Sequence, residues 1–124
     1  MKWLLLFAGG GIGTLFRYAV SGAAYKLFGV GFPWGTFSVN AIGAFIIGVL
    51  WSIADVSMLS PEQKVFILIG ILGGFTTFSS FMLEFMNLIR TGEYVTAALY
   101  ITITNVIGVI AVFSGFFLIR VVRG

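Results

Sequence analysis

Residues 73–81 read Gly-Gly-Phe-Thr-Thr-Phe-Ser-Ser-Phe and interrupt what is otherwise a long apolar segment. Two adjacent glycines and four hydroxyl side chains weaken a helix, because glycine is a poor helix former and hydroxyls compete for backbone hydrogen bonds. Inside a bilayer, an interrupted backbone is tolerated only where it is buried in protein or lines a watery cavity. The stretch therefore predicts a broken membrane helix and marks a candidate ion or solute site.

The composition indicates an integral membrane protein. The 124 residues are 60% hydrophobic and 9% charged, with a mean hydropathy of +1.13, whereas soluble domains carry about 25% charged residues. The chain has no cysteine and no histidine, and its four acidic residues are scattered. Thiol chemistry, the usual general base and paired carboxylates are therefore missing, and we expect no enzyme. The net charge of +3 comes from basic residues that flank apolar runs, which does not indicate nucleic-acid binding.

Four apolar runs cover residues 3–27, 35–54, 65–89 and 95–119, and each reaches the roughly 20 residues that span a bilayer. We expect an all-α fold with one four-helix transmembrane domain over residues 1–124 and both termini on one side of the membrane. Ser60 is predicted to cap the third span, with Pro61 as its first helical residue. Gly92 is predicted to end that span. The first run lacks a signal-peptide cleavage site, so we interpret it as a retained helix.

The basic residues near the ends of the runs divide four to two between the two sides of the membrane: Lys2, Lys64, Arg120 and Arg123 against Lys26 and Arg90. This weak bias is compatible with cytoplasmic termini and also with insertion in both orientations, which would permit an antiparallel homodimer. One four-helix unit has little interior room for a pore. We therefore expect an oligomer, most simply a dimer, with polar sites at or near its interface.

Arg17, Glu84 and Asn40 are costly residues within the predicted spans. A charge at mid-membrane costs about 2.5–3.5 kcal/mol on insertion scales, so it needs a partner or water. Arg17 is either a structural anchor or an element that attracts an anion, and Glu84 is either a paired buried acid or part of a water-filled vestibule. Asn40 shares a helical face with Thr36, and its amide either joins helices or donates to an anion without charge.

The fourth run carries Tyr100 and Thr104 on one helical face, four residues apart. Such hydroxyls either form a polar track or simply pack helices. Small residues at helical spacing also allow close helix contact. We expect that role for the glycines of the first, second and fourth runs, namely Gly9, Gly10, Gly11, Gly13, Gly43, Gly48, Gly108 and Gly115.

Taken together, these motifs resemble those of the Fluc-type fluoride channels, also called the CrcB family. Gly-Thr-Leu-Phe-Arg at residues 13–17 is similar to the family's first-helix motif, and the segment from Pro33 to Asn40 resembles its second-helix signature. Residues 73–81 resemble its third-helix break. The resemblance covers the whole chain. This chain differs at Ser80, where the family often has threonine, and at Gly108, where a serine can occur.

The resemblance implies an antiparallel dual-topology homodimer with two pores, which passively exports fluoride across the bacterial inner membrane. Phe78 and Phe81 would be paired pore aromatics, and Asn40 the amide near the ion path. The remaining implied pore residues are a polar lining of Thr77, Ser80, Tyr100 and Thr104, a vestibule residue, Glu84, and Arg17. The backbone carbonyls of Gly73 and Thr76 would hold a structural sodium ion at the dimer interface.

Two other functions remain as alternatives. A small multidrug-resistance-like, proton-coupled exporter has a similar length and four helices, but it typically needs a buried acid in its first span, where this chain has Arg17 and no acid. A structural membrane subunit would need neither the broken third helix nor Asn40. Fluoride efflux from proteoliposomes separates these alternatives.

Overall fold

The computed structural model describes residues 1–53 and 58–124, and the part of the chain it describes is helical. The long helices are α1 (Lys2–Phe28), α2 (Trp34–Ile53) and α6 (Tyr94–Arg123), and a composite third span covers Pro61–Arg90. All four are long and apolar enough to cross a membrane. The four predicted spans are confirmed to within a few residues, although Ala54, the predicted end of the second, lies outside the described residues.

The third span changes its geometry several times. It begins with α3 (Pro61–Gln63), continues as a π-helical segment (Lys64–Leu72) and a single α-turn, α4 (Gly73–Phe75), and resumes as α5 (Ser79–Arg90). Residues 76–78, here called the break, separate α4 from α5, because Thr76 has an extended backbone with ψ 158°. The predicted break is confirmed. The two glycines are not its site, however, since both stay helical in α4.

The predicted start and end of the third span also agree with the structure. The Ser60 side chain accepts a hydrogen bond from the Gln63 backbone, the Gln63 side chain accepts one from the Ser60 backbone, and Pro61 is the first helical residue. This is a complete capping box. Gly92 follows the helix end with φ +77°, a conformation that glycine adopts without steric cost.

Glycines bring the spans together at backbone distance. A Cβ atom added at Gly48 would overlap the Val112 carbonyl oxygen, and one at Gly115 would overlap that of Phe45, so α2 and α6 touch along their backbones. Gly13 of α1 lies in the same way against Ile71 of the π-helical segment. The expected packing role is thus confirmed at these positions. Within the protomer no such contact is made at Gly11 and Gly108, where an added Cβ atom would have no neighbour within 4 Å.

A single protomer has little interior. Between 6% and 22% of the residues in the most apolar window of each span are buried. The main buried cluster lies between α5 and α6 and consists of Phe81, Leu88, Ala97 and Tyr100. The exposed faces are largely apolar, with Phe7, Leu15 and Val109 all more than half exposed. Such surfaces fit contact with lipid or with another protein chain, and the protein is therefore a multi-pass membrane protein.

Candidate ion site at the break of the third span

Asn40 holds the break in place. Its side-chain Nδ2 donates to the Thr77 carbonyl oxygen at 2.9 Å, and its Oδ1 accepts from the Thr77 backbone N–H, also at 2.9 Å. The interruption removes the intrahelical partners of the Thr77 N–H and carbonyl oxygen, and an unpaired buried backbone group is costly. Asn40 replaces both partners at once. The amide therefore joins α2 to the third span, which was one of the two roles left open by the sequence.

Hydroxyl groups satisfy the rest of the break. The Thr77 Oγ1 accepts a hydrogen bond from the Ser80 backbone N–H at 3.2 Å, so it caps the start of α5. It also lies 3.4 Å from the Ser79 hydroxyl oxygen. On the other side of the break, the Thr76 hydroxyl and backbone N–H both donate to the Leu72 carbonyl oxygen at 3.0 Å. The hydroxyl residues thus explain how a membrane helix can stop and restart within three residues.

These bonds leave two carbonyl oxygens without their usual donors. In a regular helix the Thr77 N–H would donate to the Gly73 carbonyl, and the Ser80 N–H would donate to that of Thr76. In this structure the Thr77 N–H goes to Asn40 and the Ser80 N–H to the Thr77 side chain. Gly73 is exposed on the protomer surface and Thr76 is half-buried. Neutral carbonyl oxygens without helical donors are suitable ligands for a hard cation.

Phe78 and Phe81 lie on either side of the restart and form an edge-to-face pair, with ring centroids 6.1 Å apart and planes at 82°. Their environments differ. Phe78 is 72% exposed, whereas Phe81 is 5% exposed and packs edge-to-face against Tyr100 at 4.9 Å. An aromatic ring has a positive edge and a negative face. The pair therefore joins the buried cluster to the protomer surface through aromatic edges that carry no formal charge.

Glu84 accepts hydrogen bonds at both carboxyl oxygens. Thr36 of α2 donates to one oxygen and Tyr100 of α6 donates to the other, each at 2.7 Å. Thr36 and Tyr100 are both buried. The acid thus connects three spans through two hydroxyl donors, a contact that the sequence alone did not predict. The shared face of Thr36 and Asn40 was predicted, and both side chains do reach the third span.

A groove runs along α1 and collects several of the predicted site residues. It has a volume of about 800 Å³ and is here called the α1 groove. Its polar lining includes Arg17, Lys26, Thr36, Thr77, Ser80 and Glu84. A second cavity of about 330 Å³, here called the loop cavity, lies beside the connection between α1 and α2 and shares Tyr25 and Glu84 with the groove. Glu84 therefore separates two spaces that open to the protomer surface.

The other predicted site residues do not line this groove. Asn40 lies behind Thr77, Tyr100 is fully buried behind Glu84, and Phe78 lies on the outer surface. The Thr104 hydroxyl is buried and has no hydrogen-bond partner among residues 1–53 and 58–124. The structure thus brings Arg17, Thr77, Ser80 and Glu84 to one groove. It places the remaining pore candidates in the wall and on the surface around it.

Comparison with known proteins gives the same family as the sequence motifs. The sequence profile described as "CrcB-like protein, Camphor Resistance (CrcB)" matches residues 4–116. A protein of Parabacteroides distasonis named "Fluoride-specific ion channel FluC" is 47% identical over 118 residues, covering 95% of this chain and 92% of that protein.

Two further relatives carry the same name. The protein from Nitrosococcus oceani is 40% identical over 98% of this chain and 97% of its own length. The protein from Shewanella amazonensis is 41% identical over 90% of each chain. These matches extend over nearly the whole transmembrane domain, including the break and the groove, and confirm the resemblance recognised in the sequence. The chain belongs to the CrcB-like family.

Proposed function

We propose that this protein is a passive fluoride-selective channel, rather than an enzyme, which exports fluoride across the bacterial inner membrane. The names of the relatives support the choice of ion. The observation that carries the proposal is the break itself, where Asn40 and two hydroxyl residues hold an interrupted helix beside an edge-to-face phenylalanine pair. Fluoride is strongly hydrated, so its pore must replace water with donors and still release the ion. Neutral donors and aromatic edges suit that requirement.

The ion path follows the α1 groove to the break. Arg17 and Glu84 lie toward the vestibule, while Thr77 and Ser80 supply hydroxyl groups closer to the break. The phenylalanine rings present their edges to the ion, and Asn40, which lies behind Thr77, has one N–H hydrogen that the Thr77 carbonyl oxygen does not use. Tyr100, behind Glu84, and the buried hydroxyl of Thr104 are the candidates for a continuation of the polar lining along α6.

The functional unit is an antiparallel homodimer with dual topology and two pores. The support for this part of the proposal is that part of the candidate site lies exposed on the outer surface of a single protomer. Phe78, in the break, and Gly73, three residues before the break, are both exposed. The α1 groove is likewise open rather than enclosed, so a second copy would complete its wall. In lipid such an interrupted and partly polar surface needs a protein partner.

A structural sodium ion at the dimer interface fits the donor set. The carbonyl oxygens of Gly73 and Thr76 have lost their helical donors to Asn40 and Thr77, and they are neutral oxygen ligands of the kind that hard cations bind. Two copies would contribute four such oxygens. The ion would fix the two breaks relative to each other.

The proton-coupled exporter is the less favoured function. That mechanism needs a buried acid at the substrate site, typically in the first span, which binds and releases the coupled proton. The first span, α1, contains no acidic residue. Glu84 lies in α5, and both of its oxygens accept hydrogen bonds from hydroxyl groups of the same protomer.

The decisive experiment is fluoride efflux from proteoliposomes that contain the purified wild-type protein. We expect rapid, uncoupled efflux that requires no proton gradient and shows little chloride flux. A folded dimer that releases no fluoride, or releases it only when a proton gradient is applied, contradicts the proposal.

The aromatic pair gives a residue-level test. Phe78→Ile and Phe81→Ile keep apolar volume but remove the ring edges, and we expect each to lower fluoride flux at least ten-fold. The control is elution of a folded dimer in size-exclusion chromatography. Wild-type flux in either variant removes that ring from the ion path.

A further inference from the structure

The two cavities that share Glu84 differ in charge. The α1 groove is lined by Arg17 and Lys26 as well as Glu84, so its formal charge is two positive less one negative, or +1. The loop cavity is lined by Glu84 and Glu93 and by none of the chain's Lys or Arg residues that the structure describes, which gives −2. An anion that approaches the protein from water is therefore attracted by the α1 groove and repelled by the loop cavity, although Glu84 lines both.

Lys26 and Arg17 hold different positions in the α1 groove. They are nine residues apart, which is two and a half helical turns and about 14 Å along α1. Lys26 lies two residues before the end of α1 at Phe28 and is exposed, whereas Arg17 lies deeper in the span and is half-buried. Lys26 is thus the cation at the water-facing rim, where a charge acts on the approach of an ion rather than on its coordination.

We propose that the positive charge of Lys26 steers fluoride into the α1 groove and away from the loop cavity, and thereby raises the rate of fluoride entry at low ionic strength. This inference rests on the proposed function. A unit charge about 10 Å from an ion in water changes the local ion concentration about two-fold. The interaction extends over about 30 Å in 10 mM salt and only about 8 Å in 150 mM salt. Removal of Lys26 therefore has a salt-dependent signature that a structural defect lacks.

The test compares initial fluoride efflux from proteoliposomes in 10 mM and 150 mM of a salt with a large, impermeant anion. In 10 mM salt, Lys26→Gln is expected to lower the rate about 1.5- to 2-fold and Lys26→Glu about three-fold, while Lys26→Arg keeps the wild-type rate. In 150 mM salt, Lys26→Gln is expected to stay within about 1.3-fold of wild type.

Arg90→Gln is the matched control. Arg90 is exposed, ends α5 on the same side of the membrane as the end of α1, and lines neither cavity. Its removal changes the net charge by the same amount but farther from the groove, so in 10 mM salt we expect a smaller loss of efflux than for Lys26→Gln, and in 150 mM salt the wild-type rate.

Three results overturn the role of Lys26: an unchanged rate for Lys26→Gln in 10 mM salt, an equal loss at both salt concentrations, or the same loss in Arg90→Gln. Absence of fluoride efflux from the wild-type protein is a different result. That result would overturn the proposed function, and the role of Lys26 would be rejected as well because it depends on that function.

Discussion

At the contact between α2 and α6, Gly48 and Gly115 bring two backbones so close that neither position has room for a side chain. The α1 groove, in the same bundle, stays open to about 800 Å³ and is lined by charged and hydroxyl groups. The first region is stabilised by close packing of two helix backbones, and the second by hydrogen bonds between specific donors and acceptors. Substitutions should therefore act differently in the two regions: steric changes should unfold the first, and loss of a donor or acceptor should alter ion flux through the second.

The largest effect is expected from Gly48→Leu. The added side chain would start against the Val112 carbonyl oxygen, and a helix backbone cannot yield as a flexible side chain can. We expect loss of folded protein, measured as the monodisperse fraction after detergent extraction.

Gly108→Leu is the matched control for that substitution, because Gly108 lies on α6 and an added Cβ atom there has no neighbour within 4 Å. We expect it to fold as well as wild type, since leucine, like alanine, is a better helix former than glycine by up to about 1 kcal/mol. Equal behaviour of the two variants would contradict the role of backbone contact.

Asn40→Ala is expected to affect both stability and flux. It removes the partners of both the Thr77 N–H and the Thr77 carbonyl oxygen, which are partly buried, and a fully buried polar group left unpaired costs about 1–3 kcal/mol. We expect the free energy of unfolding in detergent to fall by about 2–6 kcal/mol and fluoride efflux to be abolished. Asn40→Asp keeps the acceptor for the Thr77 N–H but sets an acceptor-only carboxylate oxygen against the Thr77 carbonyl oxygen, so we expect it to be no more stable than Asn40→Ala. If Asn40→Ala is as stable as wild type, the break does not depend on the hydrogen bonds from Asn40.

Tyr100→Phe is expected to have a smaller effect. It removes one of the two hydrogen bonds to Glu84 and keeps the ring that packs against Phe81. A hydrogen bond to a charged group contributes about 1.5–3 kcal/mol. We expect a loss of stability in that range together with reduced efflux, both measured on the same preparation. An unchanged efflux rate would separate this hydrogen bond from the ion path.

The smallest effect is expected from Ser60→Ala, which lies in neither region. It removes the side-chain half of the capping box at the start of the third span, and loss of such a cap costs about 1 kcal/mol. We expect a slightly lower unfolding temperature and wild-type efflux. A loss of efflux would show that the start of the third span is coupled to the break.

The spans, the cap at Ser60 and the existence of a break could be predicted, because each depends on local composition. The position of the break within residues 73–81 could not. Glycine lowers helix propensity, but α4 keeps Gly73 and Gly74 helical, and Gly74 lies against the backbone of Gly10 in α1. The break falls instead where Asn40, 37 residues away, can bind the Thr77 peptide. Tertiary contact overrides local propensity in such cases.

The sequence predicted which residues belong to the site better than it predicted the contacts among them. Arg17, Thr77, Ser80 and Glu84 were singled out and do line one groove. The hydrogen bonds from Thr36 and Tyr100 to Glu84 were not predicted, since they join residues 48 and 16 positions apart. The π-helical segment was also not predicted, because its apolar run has the composition of an ordinary span.

The amide of Asn40 also limits which residues position 40 can accept. The Thr77 peptide takes one acceptor and one donor from this side chain, and a carboxamide has two N–H hydrogens, so one donor is left over. Aspartate lacks the donors, serine is too short to offer all three groups, and leucine offers none. Only a carboxamide of this length combines the structural bond with a spare donor. A designer who wished to retune the ion preference of this chain would therefore have to leave position 40 alone and change the side chains around it.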